Sequence, residues 1–221
     1  MSRPEHSSGT GRLLIGVAWV VLLLGLWMWG RGMSEAPLGL AAPTTGDMAA
    51  AGRPPDTQLP PEVKPLGRSA PSRVDIPSLG VQAPVVTSGL DAQGAIEPPS
   101  FARPGVVGWY GNGVTPGAAG TALIVGHVDT DTGPAVFYKL SSLRPGAKIR
   151  VVRGDGRTAE FTVEGVGVLG RDRFDAQEAY GTRQPGRAEL RLITCGGTFD
   201  RASGAYTANV VVSAYLTGVT R

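Results

Sequence analysis

The chain has 221 residues, a formal net charge of +3, 42% hydrophobic residues and 18% charged ones. That is enough apolar material for one sizeable core, and no basic run interleaved with aromatics is present, which speaks against nucleic-acid binding. A single cysteine excludes an intramolecular disulfide, and 33 glycines with 18 prolines spread along the chain suggest a turn-rich β protein.

Leu13 to Gly30 carries no charge and is almost wholly apolar. At about 1.5 Å per residue it nearly spans a ~30 Å hydrocarbon core, which predicts a transmembrane signal-anchor helix over 13–30. Trp27 and Trp29 fall at its outer end, where indoles favour the interface. Arg3 and Arg12 before the run set residues 1–12 on the cytoplasmic side and send the remainder outside. A cleavable signal peptide is the rival reading, but the run exceeds a typical ~7–15-residue apolar region. Residues 31–71 are rich in Ala, Pro, Gly and Thr without periodicity and read as an extracytoplasmic linker.

The folded part is expected over 72–221. Arg73 to Pro77 and Val81 to Val86 read as short strands, with prolines favouring edge positions. Gly105 to Tyr110 is read as a short strand or helix. Thr121 to Val125 is a near-continuous apolar strand, expected to be buried on both faces, and it delivers Gly126 and His127. Asp129 to Pro134 reads as a polar loop and Phe137 to Leu140 as a helical turn. Ala147 to Val152 and Thr158 to Val166 alternate as strands around the hairpin signal Gly154-Asp155-Gly156. A long polar stretch, Gly170 to Gly186, holds a possible short helix over Phe174 to Tyr180. Leu190 to Thr194 is a buried strand that ends at Cys195, where Gly196-Gly197 is expected to break it; Tyr206 to Leu216 is the last strand. Seven or eight short strands with little helix predict an all-β barrel or sandwich.

Cys195 is the sole cysteine, and of two histidines His6 lies in the polar N-terminal tail, leaving His127. A thiol and an imidazole, each ending a predicted strand, are the pieces of a nucleophile and its general acid and base. A free thiol with a pKa of about 8.5 is only a few per cent thiolate at neutral pH, so a cation nearby is also needed. Arg201 is the nearest arginine after Cys195. Arg191 is four residues before it and shares its nominal strand face. Thr194 precedes the thiol and can offer a hydroxyl or backbone N–H, and the backbone N–H groups exposed at Gly196 and Gly197 can stabilise an oxyanion. Asp129 is read either as a partner that orients His127 or as part of a solvated turn. Asp129, Asp131 and Glu164 form no recognisable calcium loop, and one Cys with one His cannot complete a zinc shell, so neither metal nor cofactor is expected.

The Leu192-Ile193-Thr194-Cys195 strand end, the upstream Gly126-His127 and an arginine shortly after the Cys resemble the sortases, cysteine transpeptidases of Gram-positive cell surfaces. Thr194-Cys195-Gly196-Gly197, Phe199-Asp200 and Tyr206 through Asn209-Val210-Val211-Val212 look most like the class F sortases of actinobacteria. The resemblance covers roughly Ser72 to Thr217. It implies a sortase-like eight-stranded β-barrel with short helices, preceded by the transmembrane helix. It implies Cys195 as nucleophile, His127 as general acid and base, and a substrate-facing loop over Gly170 to Gly186. The family carries an arginine on the strand after the Cys loop; Tyr206 to Val210 contains none, which leaves Arg201 for that role, with Asn209 as a polar substitute.

The implied reaction is cleavage of a Leu-Pro-x-Thr-Gly sorting signal between Thr and Gly through a thioacyl intermediate, resolved by a peptidoglycan precursor amine. The partners implied are surface proteins bearing a C-terminal sorting signal, with the enzyme a single-pass protein of the cell membrane. An L,D-transpeptidase is excluded because no Ser-His-Gly-Cys block is present. The alternative is a non-catalytic, membrane-tethered β module that binds cell-wall polymers, in which Cys195 and His127 would lie apart.

Overall fold

A computed structural model of the protein describes residues 58–221 other than Gln93, Phe174 and Ser203. The expected cytoplasmic tail over 1–12, the expected helix over 13–30 and most of the 31–71 stretch read as linker lie outside the described residues. Among the described residues no helix is long and apolar enough to cross a membrane.

The strands are β1 (Pro71–Ile76), β2 (Val81–Ser88), β3 (Val107–Tyr110), β4 (Gly120–Val125), β5 (Asp129–Thr130), β6 (Gly133–Pro134), β7 (Lys148–Arg153), β8 (Thr158–Gly170), β9 (Ala188–Asp200) and β10 (Ala205–Thr220). Eight of them close a barrel in the order β1-β2-β3-β4-β9-β10-β8-β7, while β5 and β6 form a separate two-stranded hairpin. Strand spacing predicts an all-β barrel or sandwich of seven or eight strands; the observed closed barrel of eight is the form that the sortase resemblance implies. Among the described residues helix is confined to α1 (Ala176–Tyr180) and short 3₁₀ turns at Pro77–Leu79, Leu140–Ser142 and Arg171–Arg173. The side chain of Asp175 caps α1 by accepting from Gln177 N and Glu178 N.

Two strand pairs are parallel, β2 with β3 and β4 with β9. The second pair matters most. A parallel pair needs a long crossover, and here everything from Gly126 to Arg187 is that crossover. It brings the C-terminal ends of β4 and β9 to the same rim of the barrel, although they are remote in sequence.

The barrel is filled by alternating side chains: Ala122 and Ile124 from β4, Leu190 and Leu192 from β9, Val210, Val212, Ala214 and Leu216 from β10, with Phe161 and Ile149 opposite. Fully burying each large apolar side chain contributes about 1.5–3 kcal/mol. The intervening residues of the same strands face outward. Val125, Ile193 and Val211, with Ile96, form a second apolar cluster on that outer side, flanked by Leu123, Leu169 and Tyr180. The continuous apolar run of β4 therefore has two burial sites, one per face, as its composition predicts.

Three strands run longer than their periodicity suggests. β8 continues to Gly170, β9 passes Gly196-Gly197 to reach Asp200, and β10 extends from Ala205 to Thr220. The two glycines do not break β9. Gly197 and Thr198 form a bulge opposite Thr207, with Gly197 at φ +78° and Thr198 N donating to Thr207 Oγ1 at 3.0 Å. Ladder bonds to β10 carry the strand past the apolar core, where hydrophobic patterning no longer marks it.

Part of the stretch read as linker lies against the barrel. Val63 N donates to Leu216 O and Leu66 N to Gly117 O, and both side chains pack on the core. The buried guanidinium of Arg153 donates to the carbonyls of Gly67 and Pro116 and pairs with Asp155. Prolines at 60, 61 and 65 offer no N–H, so this segment leans on the barrel through isolated bonds and forms no strand.

Candidate active site

Val125 on β4 pairs with Ile193 on β9, and Gly126 N donates to Ile193 O at 3.1 Å. His127 and Cys195 each follow two residues after this pair. By the period of 2 both project to the outer side of the barrel wall, as Val125 and Ile193 do. On the other side of β9, Cys195 is in register with Asn209 of β10, and Asn209 with Leu169 of β8.

His127 is held on every side. Its Nε2 lies 2.5 Å from Pro99 O. A carbonyl only accepts, so Nε2 carries a proton and Nδ1 is the nitrogen left for acid–base work. Phe101 stacks on the ring at 4.0 Å with 21° between planes. The His127 carbonyl accepts from Phe137 N at 3.0 Å. A Cβ at Gly126 would sit 2.7 Å from Phe137 Cδ2 and 2.8 Å from Val136 Cγ1, so only glycine lets the chain pass this close to the core.

Two clefts meet at the thiol, and His127, Arg171, Cys195 and Tyr206 line both. The first, about 370 Å³, is floored by Ile96, Val125 and Ile193 and bordered by Pro98, Tyr180 and Asn209. The second, about 530 Å³, is walled by Phe101, Phe199, Asp129 and Asp131. An elongated substrate crossing the thiol would meet an apolar floor edged by Asp91 in the first cleft, and two aromatic rings with two aspartates in the second.

The profile of the sortase domain matches residues 74–217. The chain belongs to the sortase family. Among solved structures, the SrtA sortase from Actinomyces oris superimposes with a TM-score of 0.52 at 21% identity, covering 74% of this chain and 89% of that one. Sortase A from Corynebacterium diphtheriae, as a lid mutant, gives 0.51 at 17% identity over 69% and 73% of the two chains. Sortase C-1 from Actinomyces oris gives 0.50 at 22% identity over 66% and 73%. At these identities the likeness is one of fold. No curated protein matches the chain. Sortases are in general cysteine transpeptidases, so a thiol and an imidazole at adjacent strand ends have a ready chemical reading.

The electrostatics of this sortase site are mixed. Burial pushes the Cys195 thiol pKa up; Arg171 pulls it back down, and Asp129 adds to the rise. The Tyr206 hydroxyl donates to Asp129, which pushes the phenol up to about 12. Asp129 thus ties β5 to β10, and its carboxylate is turned to Tyr206 and not to His127.

The sequence-derived residues fare unequally. Cys195 and His127 come together. Asn209 lines the first cleft beside Cys195. Thr194 lines it too, buried, and among the described residues its hydroxyl has no hydrogen-bond partner. Gly196 is buried in the ladder opposite Ala208, and a Cβ there would meet Val210 Cγ2 at 2.6 Å. Arg201 lies in the exposed turn between β9 and β10 and lines neither cleft. Arg191 is fully buried, paired with Glu189 at 2.8 Å and bonded to Gly181 O. The substrate-facing loop expected over Gly170 to Gly186 supplies Arg171 and Tyr180 to the first cleft.

Three contributors have no local signal in the sequence. Arg171 sits in a stretch that reads as polar loop. Pro99 and Phe101 lie between the second predicted strand and the Gly105 to Tyr110 element, and nothing local marks either as a neighbour of His127.

Proposed function

We propose that this sortase is a membrane-anchored, class F-like cysteine transpeptidase acting on a Leu-Pro-x-Thr-Gly-like sorting signal. The observation that carries this is the convergence of Cys195 and His127 on one pair of clefts from the ends of two parallel neighbours, β4 and β9. The class F assignment rests on Thr194-Cys195-Gly196-Gly197, Phe199-Asp200 and Tyr206 to Val212.

Cys195 Sγ attacks the Thr carbonyl carbon as His127 takes the thiol proton. The tetrahedral intermediate collapses, the C–N bond to Gly breaks, and His127 returns that proton to the departing amine. A thioacyl enzyme remains. A peptidoglycan precursor amine then attacks the thioester carbonyl, giving its proton to His127, and the expelled thiolate recovers it. Asn209, which borders the first cleft beside Cys195, would hold the substrate backbone there, with the Gly196 backbone beside the thiol; the Thr194 hydroxyl is buried and takes no part. Residues 13–30 anchor the chain, and the catalytic domain works outside the membrane.

The test is cleavage of a quenched fluorogenic Leu-Pro-x-Thr-Gly peptide by the detergent-solubilised full chain, beside Cys195→Ala and His127→Ala. Loss of cleavage in both variants is expected. Cleavage that survives either substitution overturns the mechanism. A parent that binds cell-wall polymer without cleaving any peptide favours the binding module instead.

A further inference from the structure

We propose that Arg171, from the end of β8, supplies the cation that receives the substrate's carbonyl oxygen, in place of the arginine that β10 lacks. The proposal rests on the transpeptidase reading above and assigns that site its third group.

The argument begins by elimination. β10 carries no lysine or arginine from Ala205 to Thr220, and β9 carries only Arg191. Arg191 is spent in the buried cluster beneath the 181–187 loop, bonded to Glu189 and Gly181. Arg183 and Arg187 pair with Glu164, and Arg187 also with Glu189. Arg201 points from an exposed turn and borders neither cleft. Among the described residues that line the two clefts, Arg171 is the one arginine or lysine, and it lines both.

Register explains how it gets there. Leu169 pairs with Asn209 and Asn209 with Cys195, so β8 is two strands from the thiol. That is about 10 Å at two strand spacings, within the reach of an extended arginine aimed along the wall. Leu169 packs into the outer cluster that floors the first cleft; β8 ends one residue later at Gly170, and the 3₁₀ turn that follows begins with Arg171, which lines that cleft. Arg171 Nη1 donates to Tyr206 O at 3.5 Å, a weak bond at the limit of the range. Among the described residues it makes no ion pair, so its remaining N–H groups are uncommitted. The Tyr206 phenol is itself fixed to Asp129, so the carbonyl that holds the guanidinium belongs to an anchored residue.

The chemistry needs such a group. When Cys195 Sγ adds to the carbonyl carbon, the C=O π pair moves to oxygen, and an Arg171 N–H donates to that oxyanion. The pair returns as the C–N bond breaks and His127 protonates the amine. The same positive charge favours the thiolate, consistent with the direction in which Arg171 moves Cys195.

The experiment uses the full chain in detergent with Arg171→Ala, Arg171→Lys and Arg201→Ala. Two quantities are read: kcat/KM on the fluorogenic peptide, and the pH dependence of Cys195 alkylation by iodoacetamide. The expected result is a fall of about 100- to 1,000-fold for Arg171→Ala, a smaller fall for Arg171→Lys, and about parental activity for Arg201→Ala. The alkylation midpoint should move to higher pH in Arg171→Ala. Arg171→Ala within about threefold of the parent, or Arg201→Ala as the variant that loses activity, overturns the proposal. If the parent cleaves no peptide, the transpeptidase reading fails separately, and the alkylation midpoint alone decides: unmoved by Arg171→Ala, it overturns the role of Arg171. Arg171 is exposed, and unchanged thermal melts for both Arg171 variants exclude misfolding as the cause.

Discussion

His127 Nε2 lies 2.5 Å from the carbonyl oxygen of Pro99, and that single bond sets which ring nitrogen faces chemistry. The ring is further pinned by Phe101, a residue 66% exposed yet stacked on the imidazole at 4.0 Å. An exposed phenylalanine contributes little to the core, so its removal should act on the histidine and not on the fold. Phe101→Ala is expected to lower kcat on the sorting peptide by about 2- to 10-fold, from a stacking contribution of ~0.5–1.5 kcal/mol. The melting temperature should change little. Steady-state kinetics beside a thermal melt check both; an unchanged kcat would mean that the Pro99 bond alone positions the ring.

Cys195 is exposed at the cleft floor, but the surrounding protein penalises its thiolate more than Arg171 relieves it. Its folded pKa is therefore above the ordinary thiol value. The reactive thiolate is present above that pKa and lost as pH falls through it. Alkylation by iodoacetamide should keep accelerating beyond the ordinary thiol midpoint of about 8.5. A plateau already reached near pH 7 would contradict the balance of burial over Arg171. Resting enzyme at neutral pH then holds mostly thiol, which makes proton transfer to His127 part of the attack.

Gly126 precedes the histidine and passes within van der Waals contact of the core. A Cβ there would lie 2.7 Å from Phe137 Cδ2 and 2.8 Å from Val136 Cγ1, and Phe137 is fully buried. Gly126→Ala must displace either Phe137 or the backbone that carries His127. A stability loss of about 1–3 kcal/mol is expected, together with a larger loss of activity than Phe101→Ala causes. Urea unfolding and peptide cleavage measured on one preparation check this. Full activity with parental stability would show that the contact relaxes freely.

Glu189 is fully buried and receives four donors: Arg183 N, Gln184 N, Arg187 Nε and Arg191 Nη2. Burial alone would raise its pKa, but the backbone N–H groups and Arg191 outweigh it and hold the carboxyl below the usual range. A depressed folded pKa contributes stability that is fully present above the unfolded value of about 4.3 and is lost as pH falls through the folded pKa. Acid melts should therefore steepen below about pH 4.3. Glu189→Gln should flatten that slope and cost about 3–5 kcal/mol at neutral pH, because it strands buried guanidinium groups. The 181–187 loop, stapled down by this carboxylate, should also become the first site of limited proteolysis. An acid slope identical in parent and variant would remove Glu189 from the account.

Much of the framework was readable without coordinates. The apolar run Thr121 to Val125 and the run Leu190 to Thr194 declare buried strands through composition alone, and each is followed within two residues by a group able to act as base or nucleophile, His127 and Cys195. Spacing and alternation set the strand count, because the period of a strand is a local property of the chain. Strand ends were less legible. β9 and β10 continue past the core as a ladder of backbone bonds that any side chain can join, so hydrophobicity stops marking them while the strand goes on.

What only the tertiary structure decided is who meets whom. Nothing local in Val125 or Ile193 says that β4 and β9 are parallel neighbours, yet that pairing is what brings His127 to Cys195. Arg171, Pro99 and Phe101 enter the site from a strand end and a loop whose own sequence reads as polar connection. The physical reason is the same in each case. Patterning along a chain reports which face of a residue is buried, whereas barrel closure, through backbone hydrogen bonds that carry no side-chain identity, determines which remote segments border the same cleft.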